Sequence, residues 1–179
     1  HEESYSKRGG LFQMVQLWVN LPSKYKMTTP KYQALANDGI AKYQLPEGNG
    51  YIEVIAGEYQ GIKGSASTFT PIEVYNLKPN AGAKVSLASP ANYNTALIII
   101  EGSVTINGAE QATTNQMVHF ANEGSDIKIE AKENSIVLFL SGEPINEPIA
   151  QYGPFLMNKP EELQQAIEDY NTGKFGYLE

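Results

Sequence analysis

Short apolar segments separated by turn-forming residues dominate the sequence from Ile40 to Ala150. They recur at intervals of roughly ten residues, a spacing that is typical of the strands of a β-sandwich or barrel. Gly, Pro and Asn stand between them, and these residues favour turns. The segments begin at Tyr51, Ile72, Ala83, Thr95, Ser125 and Ser135. We therefore predict a mainly β domain over residues 40–150.

The segment that begins at Thr95 narrows this prediction. A continuous apolar run, Ala96 to Ile100, meets Glu101-Gly102, and the sequence then alternates up to Asn107-Gly108. Because Asn-Gly tolerates the positive backbone angles of a tight hairpin turn, another strand should follow it. Two consecutive hairpins in an all-β context predict a small jelly-roll barrel.

A further strand is predicted before the barrel, in "QLWVNLP", Gln16–Pro22. Leu17, Val19 and Leu21 fall on one side of an extended chain, and Pro22 stops the strand because it has no backbone N–H to donate. Residues 23–39 have neither a helical nor a strand period. We interpret them as an extended connector between domains.

Residues 151–179 form a C-terminal segment after the barrel, in which the sequence predicts one helix over about residues 160–172. Pro160 suits the first helical turn, the acidic pair that follows suits the positive end of the helix dipole, and Gly173 suits the position just past the end. The apolar positions repeat at helical spacing and predict a single stripe that docks on the rest of the protein. They are Leu163, Ala166, Ile167 and Tyr170.

Charge and composition limit the classes of binding partner and the cellular compartments that we expect for this protein. The 13 basic and 20 acidic residues give a net charge of −7, which would repel a phosphate backbone, so we expect no direct contact with nucleic acid. There is no cysteine, and this fits a reducing compartment. Neither a membrane-spanning run nor a signal peptide is visible, so we expect a soluble, cytoplasmic protein that does not bind membranes.

The chain has only two histidines, His1 and His119, to offer to a metal. His119 has no second His at ligand spacing, and we interpret it as a packed or partly exposed strand residue. His1 and Glu3 are two residues apart, so on a strand both side chains would face one ion. Two alternatives remain for this spacing. It could arise by chance at a flexible terminus. His1 could also bind copper through its own amine and ring.

The sequence offers few other signs of catalysis or ligand binding. The motifs of nucleophile elbows, phosphate loops, dinucleotide folds and zinc proteases do not occur in the sequence. Glu53, Glu58 and Glu73 would allow an acid/base pair, although a solvated sheet face is the favoured interpretation. Three tyrosines of the connector region would stack a planar ligand or pack a domain interface, and the latter is commoner. They are Tyr25, Tyr32 and Tyr43.

Several blocks of the sequence, in order, resemble the pirin family. They are "QLWVNLP", "KMTTPKYQ", "VIAGEYQGIKG", "SGEPINEPIAQYGPFLMN" and "EELQQAIEDYNTGKFG", and together they run over nearly the whole chain. The resemblance implies a cupin-type double-stranded β-helix. Pirins are two-domain cupins whose N-terminal barrel carries one metal, typically iron, and whose C-terminal barrel usually has none.

The resemblance also assigns roles to particular residues. His1 and Glu3 match the later H-x-E half of the pirin metal site in type, spacing and distance from Gln16. The other half, an H-x-H pair, should lie several tens of residues before His1, so residues 1–39 resemble a remnant of the N-terminal cupin plus a connector. In the barrel, metal-binding positions correspond to Leu87, Ser89 and Asn92 and to Ser125, Asp126 and Ile127, which predicts no metal there.

For the intact protein, the resemblance implies iron and a quercetin 2,3-dioxygenase-like activity. With only His1 and Glu3 of the four ligands present, we expect this chain alone to bind no metal and to be inactive. Two alternatives stay open: a non-enzymatic regulator that binds a protein partner, and a cupin with a purely structural role. Apolar surface left uncovered would favour a homodimer or a swapped assembly.

Overall fold

The structure is a computed structural model and describes residues 3–176, with side chains from Tyr5 onward. Two α-helices, α1 (Glu3–Arg8) and α2 (Pro160–Asn171), lie near the two ends. Short 3-10 turns occupy Ser23–Tyr25 and Pro46–Gly48. The strands are β1 (Ala41–Gln44), β2 (Gly50–Ala56), β3 (Glu58–Tyr59), β4 (Ile62–Lys63), β5 (Ile72–Pro79), β6 (Lys84–Ala88), β7 (Asn94–Glu101), β8 (Ser103–Ile106), β9 (Glu110–Thr113), β10 (Met117–His119), β11 (Asp126–Ala131), β12 (Ile136–Gly142), β13 (Ala150–Tyr152) and β14 (Phe155–Met157).

Two antiparallel sheets face each other and form a jelly-roll barrel. The larger sheet has the order β1-β2-β5-β12-β7-β10, and the smaller has the order β6-β11-β8-β9. Strands that are distant in sequence, such as β5 and β12, are neighbours in the larger sheet, as the crossovers of a jelly roll require. The predicted mainly β barrel with a C-terminal helix is confirmed.

Alternation along the strands places the core between the two sheets. In β5, Tyr75 and Leu77 point inward and are 2% and 0% exposed. They lie opposite Phe139 and Val137 of β12, and the rings of Tyr75 and Phe139 stack with centroids 5.2 Å apart. The smaller sheet contributes buried aliphatic side chains from the other side: Val85, Leu87, Val104, Ile106, Ile127 and Ile129.

The hairpin predicted at Asn107-Gly108 is present between β8 and β9. Asn107 and Gly108 have φ angles of 50° and 73°, the left-handed region that this pair of residues tolerates. Ile106 pairs with Glu110 directly across the turn. The sequence signal therefore fixes the register of this hairpin as well as its position.

Helix α2 begins at Pro160, and the side chain of Glu162 caps its first turn. One carboxylate oxygen of Glu162 accepts hydrogen bonds from the backbone N–H groups of Asn158 and Lys159, each at 3.0 Å. The helix packs against the β13–β14 hairpin, and Ala166 is buried. The predicted apolar stripe is wrong at one position, since Tyr170 is 64% exposed and meets Phe155 only at a ring distance of 6.1 Å.

The prediction of a strand over Gln16–Pro22 is wrong, because the structure assigns no strand to these residues. A strand needs a neighbour to satisfy its backbone N–H and C=O groups, and no described strand pairs with this segment. The alternation itself has a structural role. The odd-numbered side chains from Gln13 to Leu21 line a groove over the outer face of the larger sheet. We call residues 13–21 the strap.

Among the described residues, no helix combines the length and the apolar character that crossing a bilayer requires.

Candidate functional site

The metal ligands suggested by the sequence lie at or beyond the edge of what the structure describes. His1 is outside the described residues, as is the side chain of Glu3. The backbone of Glu3 begins helix α1, and the geometry of the His1–Glu3 pair lies outside the described residues. Lys7 and Arg8 in the last turn favour this short helix because cations stabilise the negative end of the helix dipole. Within the described side chains, no group of three or more His, Cys, Asp or Glu could hold a metal ion.

A layer of polar side chains lies inside the barrel at one end of the larger sheet. Ser141 of β12 pairs with Glu73 of β5 on one side and with Thr95 of β7 on the other. The hydroxyl oxygen of Ser141 is 2.9 Å from that of Thr95 and 2.6 Å from that of Ser89, which follows β6. The three hydroxyl groups are buried and satisfy one another. We call these four residues the polar layer.

The carboxyl group of Glu73 is the only ionisable group of the polar layer. Burial raises the pKa of Glu73, and the nearby hydroxyl groups of Ser89 and Tyr75 oppose that rise. One of its carboxyl oxygens is buried without a hydrogen-bond partner. Burial, together with the nearby carboxyl group of Glu73, also raises the pKa of Tyr75, whose hydroxyl donates to the backbone oxygen of Glu58 at 2.8 Å.

The polar layer does not fit an iron ion. It offers one carboxyl group whose proton is retained more readily than usual, and three neutral hydroxyls that are already hydrogen-bonded to each other. Non-haem iron sites are typically built from imidazole and carboxylate donors, which remain good ligands at neutral pH. The described geometry instead allows the layer to close the end of the barrel and to hold one proton.

The other positions compared with cupin metal ligands also lack suitable donors. Leu87 and Ile127 are core residues, 2% and 6% exposed. Asn92, Ser125 and Asp126 are exposed. His119 lies exposed on β10 at the edge of the larger sheet, in agreement with its interpretation as a partly exposed strand residue.

Glu53 corrects the interpretation of the strand carboxylates as a solvated face. It is 5% exposed. Its carboxylate oxygens lie 3.1 Å from the ammonium nitrogen of Lys78 and 3.5 Å from that of Lys42. The side-chain amide of Asn76 donates a hydrogen bond to the same carboxylate at 2.7 Å. These groups satisfy it as a structural ion cluster on the outer face of the larger sheet. Of the three glutamates, Glu58 is exposed.

The connector tyrosines pack in two cases out of three. The ring of Tyr25 meets Phe69 at 5.0 Å, and the ring of Tyr43 meets Tyr59 edge-on at 5.1 Å. Tyr32 is 92% exposed. Packing, the commoner use of such residues, therefore accounts for Tyr25 and Tyr43.

Sequence reasoning named Glu73 and Ser89 separately but did not join them to Thr95 and Ser141. A signal was available, because Thr95 and Ser141 are polar residues at inward-facing positions of otherwise apolar strands. Their meeting depends on the β5-β12-β7 order of the sheet. That order joins strands far apart in sequence and is not visible in a local pattern.

Comparison with known proteins gives a consistent result. The Pirin C-terminal cupin domain profile matches residues 74–176. The crystal structure of quercetin 2,3-dioxygenase from Acinetobacter baumannii superposes with a TM-score of 0.94 and is 42% identical; the match covers 100% of this chain and 62% of that one. Human Pirin is 38% identical over 91% of this chain and 57% of its own length.

A protein of Pseudomonas aeruginosa, provisionally named a quercetin 2,3-dioxygenase, is 40% identical over 98% of this chain and 62% of its own length. The chain thus spans less than two thirds of the length of these relatives. The cupin-type fold expected from the sequence is confirmed.

Proposed function

Because the chain belongs to the pirin family, we propose that it forms the C-terminal barrel of a pirin-like protein with quercetin 2,3-dioxygenase-like activity. The observation that carries this proposal is the match to the Acinetobacter quercetin 2,3-dioxygenase over the full chain, at a TM-score of 0.94. A likeness of this extent covers the strap, the connector and helix α2 in addition to the barrel.

In this proposal the iron belongs to the N-terminal barrel of a longer protein. His1 and Glu3 would supply two of its ligands, and an H-x-H pair encoded upstream of His1 would supply the others. Bound iron with open coordination positions would bring the flavonol and oxygen together. The polar layer contributes no ligand, and its role is to keep the second barrel closed and ordered. We expect the 179-residue chain by itself to bind no iron and to be inactive.

Oxygen uptake with quercetin tests the activity. The protein that includes the residues preceding His1 is loaded with iron and compared with the 179-residue chain. We expect flavonol-dependent oxygen uptake from the longer protein and none from the chain alone. If the longer protein is loaded with iron and still consumes no oxygen with quercetin, the enzymatic proposal is wrong.

A second function, regulation through a bound protein partner, is favoured by the apolar surface around the strap. Several large side chains there are strongly exposed: Leu11 at 95%, Phe12 at 58%, Met14 at 67% and Trp18 at 67%. In the longer protein the N-terminal barrel would cover part of this apolar surface, and the part that stays exposed would bind a protein partner or a second copy of the chain. Light scattering measures the mass of the particle in solution and so distinguishes a homodimer from a monomer that binds a different protein. The absence of cysteine fits a cytoplasmic location for either function.

A further inference from the structure

The chain turns sharply where the strap meets the connector. Pro22 is buried at this point, and its backbone oxygen accepts the N–H of Tyr25 at 2.8 Å within a short 3-10 turn. The turn brings Lys26 back to the strap, where its ammonium group donates to the side-chain oxygen of Asn20 at 2.6 Å. In the part of the chain that the structure describes, no other hydrogen bond reaches the strap. The end of the strap is therefore fixed by Lys26.

Lys26 in turn lies near two carboxylates that follow the last strand of the barrel. The lysine is half-buried, and burial lowers its pKa, while the nearby carboxylates of Glu147 and Glu162 oppose that shift. An ammonium group that is taken partly out of water needs such negative charges close by. The position of Lys26 therefore depends on where these two glutamates stand.

Both glutamates are held in place by hydrogen bonds of their own, and Asn158 joins them. The carboxylate of Glu147 accepts the backbone N–H of Ser23 at 2.6 Å and the side-chain amide of Asn158 at 3.0 Å. The carboxylate of Glu162 accepts the backbone N–H of Asn158 at 3.0 Å. We call Glu147, Asn158 and Glu162 the clamp. Its negative charges are positioned before Lys26 meets them, so the lysine has one favourable place to lie.

The clamp stands outside the core of the barrel. Among the described residues, the hydrophobic core cluster runs from Leu45 to Phe139, and helix α2 packs mainly against the β13–β14 hairpin. A cavity of about 190 Å³ is lined by Lys26 of the connector on one side and by Ala166 and Asp169 of α2 on the other. Because this gap remains, polar contacts and not close packing hold the connector at α2.

We infer that the clamp sets the direction of the strap and that Lys26 is the residue that couples the two. The segment that follows the barrel then has a purpose other than core formation, which is to hold the chain that precedes the barrel. In the longer protein the strap would lead into the first barrel, so the clamp would keep the two barrels at one angle. That extension rests on the proposed function, whereas the coupling itself belongs to the 179-residue chain.

Backbone order parameters of the 179-residue chain, measured by NMR relaxation, test the coupling. Lys26→Met keeps the apolar stem of the side chain and removes its charge. We expect the order parameters of the amides of residues 16–20 to fall from about 0.85, typical of rigid backbone, to below about 0.6. Asn20→Ala should cause the same fall, and the double variant should add nothing, since both changes remove one contact. Lys31→Met, an exposed change in the same connector, is the control and should have no effect.

A second pair of variants tests the clamp. Glu147→Gln removes one of the two negative charges near Lys26 and should lower the order parameters of the same strap amides. Glu143→Gln, an exposed change four residues earlier, should leave them unchanged. The urea midpoint of Lys26→Met should equal that of the wild type, because the contact lies outside the core.

Three results would overturn the inference. The strap amides could keep their order parameters in Lys26→Met, Lys31→Met could lower them equally, or the urea midpoint of Lys26→Met could fall, which would make Lys26 a support of the whole fold. None of these results depends on iron or on quercetin turnover, so the inference stands or fails separately from the proposed enzymatic function.

Discussion

The hydroxyl oxygens of Ser89 and Ser141 lie 2.6 Å apart inside the barrel, at one end of the larger sheet. Thr95 completes a chain of three hydroxyls beside the carboxyl group of Glu73. Such a buried chain is stable only while each member keeps its partner.

Removal of the central hydroxyl should therefore destabilise the barrel. Ser141→Ala leaves the buried hydroxyls of Ser89 and Thr95 without their shared partner, and we expect a loss of about 1–3 kcal/mol in the free energy of unfolding. Urea denaturation measures it. The exposed Ser125→Ala is the control and should stay within about 0.5 kcal/mol of the wild type. Equal midpoints for the two variants would show that the hydroxyl chain contributes nothing.

Glu73 should make the barrel less stable as the pH rises. Its pKa in the folded state is raised by burial above the ordinary value of 4.5, so folding favours the protonated form. The resulting stability is fully present below pH 4.5 and is lost as the pH increases through the raised pKa. Glu73→Gln keeps a neutral side chain at every pH and should be more stable than the wild type at pH 7.

Thermal unfolding between pH 4 and pH 8 measures this effect. The difference in melting temperature between Glu73→Gln and the wild type should grow with pH. Glu110→Gln, an exposed change on β9, should show no such trend. A constant difference across the range would mean that Glu73 does not carry the proton.

Glu53 should be essential to the outer face of the sheet. Glu53→Gln leaves Lys42 and Lys78 with no carboxylate, and we expect a loss of about 2 kcal/mol because hydrogen bonds to charged groups contribute ~1.5–3 kcal/mol. The exposed Glu58→Gln is the matched change and should be close to neutral. Urea unfolding compares the two variants. If Glu53→Gln leaves the free energy of unfolding unchanged, the ion cluster around Glu53 does not stabilise the sheet.

Glu147 should hold the connector against the barrel. Its carboxylate accepts the backbone N–H of Ser23 at 2.6 Å and the hydroxyl of Ser23 at 3.1 Å, and the backbone bond holds the pKa of Glu147 below its ordinary value. This attachment is complete above the ordinary pKa and is lost as the pH falls through the lowered one. Glu147→Ala should accelerate hydrogen exchange at the Ser23 amide, whereas Glu143→Ala should leave it unchanged.

The sequence predicted the barrel well because its strands are short, regular and separated by residues with specific turn preferences. Asn107-Gly108 predicted its hairpin because the backbone angles of that turn select those residues. Gln16–Pro22 was mispredicted because alternation shows which side chains share a face, not whether a neighbouring strand is available. The polar layer was missed as a unit because it depends on β5, β12 and β7 becoming neighbours across long stretches of sequence.

The central claim is that His1 and Glu3 are half of the iron site of a longer pirin-like protein. Iron content per chain, measured on the protein that includes the residues preceding His1, tests it most directly. We predict about one iron in the wild type and in Glu2→Gln, and loss of most of the iron in His1→Ala and Glu3→Gln, since a deleted ligand strongly lowers metal affinity. Full iron content in His1→Ala and Glu3→Gln, or none in the wild type, would contradict the account.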